Sequence, residues 1–182
     1  MRHPARWIAL GVALAVVVLG VVLALNVGTD PQAATKESKL LGRPAPSFEL
    51  QNLAGGTVSS DSLAGKAVVV NFWNEWCVPC IQELPALKQF WNAHKDDPDV
   101  AMVGIVRDTR LNDKDLADYT AHDGIGWTIA LDRDNRAALD FATRGQPETF
   151  VISPAGQISG YQYGPASVRG LELMLAAGQS AR

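Results

Sequence analysis

The chain has two cysteines among 182 residues, and both stand in the stretch NFWNEWCVPC, as Cys77 and Cys80. Thiols separated by two residues have three chemical uses. They can cross-link the fold, supply half of a metal site, or cycle between dithiol and disulfide. A bridge across so short a loop removes little chain entropy and makes a poor staple. A structural zinc site takes four ligands, and His3, His94 and His122 show no ligand spacing. Reversible dithiol chemistry is the better account.

That chemistry needs a particular setting. The preceding AVVVNFW, residues 67–73, is β-branched, continuous and apolar, as expected of a central strand covered on both faces. In CIQELPALKQFWNAH the residues Ile81, Leu84, Leu87, Phe90 and Trp91 recur at helical spacing, so a helix that buries these five is expected. A C-x-x-C between a strand and a helix reads as a redox motif. Cys77 would sit at the helix N-terminus, where unpaired N–H groups and the helix dipole favour an anion. That lowers the thiol pKa and makes Cys77 the attacking thiolate. Cys80, one turn further in and less exposed, would resolve the mixed disulfide. Pro79 suits a first helical turn, where its missing N–H is not needed.

Further elements complete the pattern. PSFELQNL reads as a first strand and the turn-rich AGGTVSSDSLAGK as a hairpin tip. VAMVGIV, residues 100–106, is a second buried strand, and NDKDLADYTAHDG a helix with an Asn cap and a glycine stop. WTIALD is a short strand, RDNRAALDFATRG a helix ended by Gly145, and ETFVIS and QISGYQYG a hairpin before the helix ASVRGLELMLAAG. The order predicts an α/β fold: a mixed sheet flanked by helices, parallel in its first half and antiparallel in its second. The net charge of −3 and the absence of a Lys/Arg cluster argue against nucleic-acid binding.

The N-terminus differs in kind. Residues 7–29 carry no charge, with Arg2 and Arg6 before them and Asp30 after. A run of about 20 apolar residues can span a bilayer and is longer than a signal-peptide core. An uncleaved anchor is therefore expected over a signal cleaved near Gln32–Ala34. The leading arginines place the N-terminus in the cytoplasm. Residues 1–28 are read as a cytoplasmic tip and transmembrane signal-anchor, 29–40 as a linker, and 41–182 as one extracytoplasmic domain. Outside the cytoplasm a disulfide can persist.

FWNEWCVPC resembles the active site of the thioredoxin superfamily. GRPAPSFEL, NFWNEWCVPCIQELP, RGQPETFVIS and the N-terminal anchor together resemble the membrane-anchored TlpA/ResA/DsbE-like (CcmG-like) thiol-disulfide oxidoreductases, from about Leu41 to the C-terminus. The resemblance implies a thioredoxin-like fold in which Pro147 is a cis-proline facing the dithiol. Its loop, with Gln146, would present backbone to an extended substrate peptide by strand addition. Trp76 would cover the dithiol, and Val78–Pro79 would tune its potential. Asn71 replaces the buried aspartate of thioredoxin and cannot shuttle a proton. Glu83, three residues after the second cysteine, and Glu148, after the proline, match glutamates of the group. They are the candidate acid/base groups for Cys80, with raised pKa expected from burial.

The resemblance further implies a reductase acting on protein disulfides such as those of apocytochrome c, with electrons from a CcdA-like transmembrane partner. It calls for no cofactor and no metal, and a monomer is the default state. An oxidant that installs disulfides in secreted proteins would use the same residues, because potential and partner set direction. A peroxiredoxin fits less well, since Asn74 stands where its T-x-x-C threonine would be. A Cu(I) chaperone would use the two soft thiolates but lacks a nearby histidine or methionine.

Overall fold

The computed structural model describes residues 11–21 and 38–180. The chain divides into two units, Met1–Ala33 and Ala34–Arg182. In the first, the described residues 11–21 form a helix, α1, with its side chains exposed. No helix among the described residues is long and apolar enough to cross a membrane. The rest of the expected span and most of the expected linker lie outside those residues.

The second unit is built on one sheet of strands β1 (Glu49–Asn52), β2 (Thr57–Ser59), β3 (Ala67–Trp73), β4 (Val100–Val106), β5 (Thr128–Leu131), β6 (Glu148–Ile152) and β7 (Ile158–Tyr163). Their order across the sheet is β2-β1-β5-β4-β3-β6-β7. Strand β3, buried at every position, lies inside the sheet, as its unbroken apolar run requires. Parallel pairing is confined to β3, β4 and β5. Both flanks are antiparallel: β6 and β7 on one side, β1 and β2 on the other. The sequence order suggested antiparallel pairing in the second half only. The N-terminal hairpin instead adds to the far edge beside β5, a long-range pairing that no local pattern encodes.

Helices α2 (Val78–His94), α3 (Asp113–His122), α4 (Arg136–Asp140) and α5 (Val168–Ser180) cover the sheet. One apolar layer joins Val69 and Trp73 of β3 to Leu84, Leu87 and Phe90 of α2, Leu116 of α3 and Leu171 and Leu175 of α5. The other joins Val68, Val70 and Phe72 to Phe48, Phe141, Phe150 and Tyr161. The odd and even positions of β3 thus feed opposite layers, as the period of a strand demands.

Two expectations need correction. Ile81 is 43% exposed. The buried stripe of α2 runs through Cys80, Glu83, Leu84, Leu87 and Phe90, and position 81 falls beside it. The helix expected to reach Gly145 stops at Asp140. Ala142 takes a left-handed conformation, φ 51°, and Thr143 N–H closes onto Ala138 O at 3.0 Å, a helix stop that needs no glycine. Residues 143–147 are thereby released as a loop leading into β6.

Candidate active site

Strand β3 ends at Trp73, and a short loop delivers Cys77 to the first turn of α2. Cys77 is the N-cap residue, with extended backbone, and its Sγ accepts the N–H of Cys80 at 3.2 Å. The two cysteines form a disulfide with Cα atoms 5.2 Å apart. Both are buried, Cys80 at 1% exposure more deeply than Cys77 at 5%, the asymmetry expected of a resolving and an attacking thiol. The same N–H would face the Cys77 thiolate after reduction. Val78 and Pro79 occupy the first helical turn and are exposed.

The Gln146–Pro147 peptide bond is cis. Gln146 O lies 3.7 Å from Cys77 Sγ, so this loop borders the sulfur. Gln146 precedes the β6–β7 ladder, whose first pair is Glu148 with Tyr163. Trp76 is 41% exposed. Its indole N–H donates to Asp108 O at 2.9 Å, and the Arg110 guanidinium lies over its ring at 4.7 Å. The loop before the cysteines is pinned to the β4–α3 loop by two further bonds, Asn74 Nδ2 to Arg107 O (3.3 Å) and Arg110 N to Glu75 Oε1 (2.8 Å). Arg107 Nη1 then reaches Thr143 Oγ1 at 3.0 Å, tying in the proline loop.

Glu83 is 1% exposed and one turn along α2 from Cys80. Its Oε1 accepts from Asn71 Nδ2 at 2.9 Å and its Oε2 from Ala166 N at 2.7 Å. Burial pushes its pKa up from 4.5 to about 7, against the opposing effect of those two hydrogen bonds. The carboxyl can therefore exchange a proton near neutrality. Asn71 Nδ2 also donates to Thr149 Oγ1 at 3.0 Å.

Glu148 is fully buried, and none of its hydrogen bonds among the described residues goes to a cysteine. It pairs with Phe72 across the β3–β6 ladder, whereas Asn71 pairs with Thr149. Directly paired residues share a face, so Glu148 belongs to the phenylalanine layer and Thr149 to the α2 layer. The Glu148 carboxylate accepts the N–H groups of Arg144 and Gly145, and the Tyr161 hydroxyl at 2.8 Å. Burial pushes Tyr161 up to about 12, which keeps it a donor. Glu148 thus holds the loop that carries Gln146 and Pro147. Sequence inspection missed Thr149, Tyr161 and the Arg107–Arg110 loop. For Thr149 the only signal was the strand period within ETFVI, and it does not discriminate, because that strand is buried on both faces.

Comparison with known proteins agrees with this geometry. A family model described as AhpC/TSA matches residues 41–160. The chain is 34% identical over 162 residues to the thiol:disulfide interchange protein DsbE of Allochromatium vinosum, covering 87% of this chain and 83% of that one. It is 26% identical over 125 residues to the thiol-disulfide oxidoreductase ResA of Bacillus anthracis, covering 69% and 70%. A crystal structure of a thioredoxin-family thiol:disulfide interchange protein from Chlorobium tepidum superposes with a TM-score of 0.64 at 31% identity, covering 74% of this chain and 94% of that one. The chain belongs to the AhpC/TSA family with a thioredoxin-like fold, and is a thiol-disulfide oxidoreductase of the ResA and DsbE type.

Proposed function

We propose that the chain is a membrane-anchored reductase with its catalytic domain outside the cytoplasm. It keeps the haem-binding cysteines of apocytochrome c as thiols and is recharged by a CcdA-like transmembrane dithiol partner. The observation that carries this reading is the placement of Glu83, a buried carboxyl titrating near 7 one turn from Cys80. A reductase must deprotonate its resolving thiol at neutral pH, and this group is suited to take that proton.

The reaction balances within the residues named. The Cys77 thiolate attacks one sulfur of a substrate disulfide and expels the other as a thiolate. Glu83 removes the Cys80 proton. The Cys80 thiolate then attacks Cys77 Sγ, closing the 77–80 disulfide and releasing the second substrate thiolate. Two electrons pass to the substrate, whose thiolates take up two protons. Trp76, Val78, Pro79, Gln146 and Pro147 form the surface that meets the substrate, and Glu148 positions the Gln146–Pro147 loop rather than moving the proton.

Equilibration of the full chain in detergent with defined thiol buffers tests the direction. A potential near thioredoxin's, about −270 mV, is expected for a reductant. A value near DsbA's, about −120 mV, would assign the chain to disulfide formation and remove the apocytochrome reading.

A further inference from the structure

Three arginines of the described residues are ion-paired through the guanidinium: Arg107 with Asp108, Arg133 with Asp113, and Arg136 with Asp140. Among the described residues Arg110 and Arg144 have no carboxylate within ion-pair distance, and each guanidinium lies over an aromatic ring. Arg110 covers Trp76, the neighbour of Cys77, at 4.7 Å. Arg144 covers Tyr163 at 5.0 Å and Tyr161 at 5.9 Å. It stands two residues before Gln146, whose carbonyl lies 3.7 Å from Cys77 Sγ. One exposed guanidinium therefore belongs to each of the two sides that border the reactive sulfur.

The nearby acids do not pair with these two guanidinium groups. Glu75 accepts the Arg110 backbone N–H through Oε1, and its Oε2 has no hydrogen-bond partner among the described residues. Asp108 takes Arg107 Nε and Asn135 Nδ2. Glu148 is buried under Tyr161 and meets Arg144 through its backbone N–H and through the tyrosine hydroxyl, which accepts from Arg144 Nη2 at 2.9 Å. Stacking on a ring holds a guanidinium flat, and apart from the Arg144 Nη2 bond to Tyr161 it leaves edge N–H groups for a carboxylate.

We propose that Arg110 and Arg144 select partners whose reactive cysteine is flanked by acidic side chains in an extended segment. The proposal rests on the dithiol-exchange reading above and names its substrate class. A peptide drawn past Cys77 would bring side chains on either side of its own cysteine to these two edges.

The test uses the reduced full chain in detergent and three peptides, each closed by one internal disulfide. Their cysteines are flanked by aspartate, serine or lysine. At low salt the expected order of the second-order rate constant for single-turnover reduction is aspartate, serine, lysine. Aspartate should exceed serine by about three- to tenfold, the range for two exposed charge contacts, and the ratio should shrink in high salt. In Arg110→Gln/Arg144→Gln the aspartate-to-serine ratio falls to about one, and in the double glutamate variant the order inverts. Because each ratio is taken within one protein, a general loss of activity does not imitate the effect. Turnover of all three peptides at equal rates, or a preference that survives in the glutamine variant, overturns this proposal alone. No turnover of any peptide overturns it together with the exchange reading.

Discussion

Replacing Glu83 by glutamine isolates the consequence of one buried proton. The carboxyl is 1% exposed, and burial lifts its pKa from 4.5 to about 7. Below pH 4.5 the folded and unfolded chains both hold the proton, and stability does not vary with its titration. Between 4.5 and about 7 the folded chain keeps a proton that the unfolded chain has released, so stability falls as pH rises. Above that window the full penalty is present, about 3 kcal/mol for a rise of this size. Glutamine keeps the shape and has no proton to lose. Denaturant unfolding of the oxidised full chain in detergent, followed by tryptophan fluorescence, should show wild type losing about 3 kcal/mol relative to Glu83→Gln across that window. The same group should appear in the chemistry. Alkylation of the reduced protein should show an inflection near neutrality that the variant lacks. Parallel stability curves for the two proteins would show that Glu83 carries no raised pKa, and the proton-acceptor role would go with it.

Three further substitutions test the packing around the site. Glu148→Ala strips the acceptor from two backbone N–H groups and the Tyr161 hydroxyl. It should cost about 3 kcal/mol in denaturant unfolding yet keep the alkylation inflection assigned to Glu83, and a lost inflection would return Glu148 to the proton path. Asn71→Asp replaces a donor to Glu83 by a second carboxyl. Like charges in one buried site raise the pKa, so the alkylation inflection should move to higher pH, and an unmoved inflection refutes the contact. Gly104→Ala would set a Cβ 2.7 Å from Trp73 Nε1 and 3.0 Å from both Trp127 Nε1 and Ile129 Cδ1. Overpacking of this kind costs about 1–3 kcal/mol, and an unchanged unfolding midpoint would contradict it.

What was legible in the sequence was whatever a local pattern encodes. The strands Ala67–Trp73 and Val100–Val106 and the Asn112 cap stand where periodicity and capping chemistry put them. The Cys77–Cys80 pair stands at the strand–helix junction that its spacing suggested. Three things were not legible. The edge on which β1 and β2 pair is settled by contacts across some eighty residues of chain. The early end of α4 depends on Ala142 adopting a conformation that alanine seldom takes. The side of the sheet that each residue of ETFVI faces is hidden because both sides are buried. Apolar alternation reports orientation only where one face meets water.

That last point explains why two glutamates that look alike in sequence stand in different surroundings and are proposed to do different work. Each is a buried acid next to a redox loop, and a buried carboxyl is costly unless it is neutral or hydrogen-bonded. Glu83 receives two donors, one per oxygen, and burial prevails, leaving it poised to hold or release a proton. Glu148 receives three donors, two of them backbone N–H groups from the loop it must hold. Those three bonds tie the Arg144–Gly145 turn and Tyr161 to one side chain. The division follows from one step of strand register. Asn71 opposite Thr149 builds a polar contact on the α2 side, where Asn71 also donates to Glu83, one turn along α2 from Cys80. Phe72 opposite Glu148 turns the second acid into the aromatic layer, where the groups in reach are those that shape the Gln146–Pro147 turn. On the proposed reading, proton transfer and substrate presentation fall on opposite faces of one strand pair, so each should be alterable without the other.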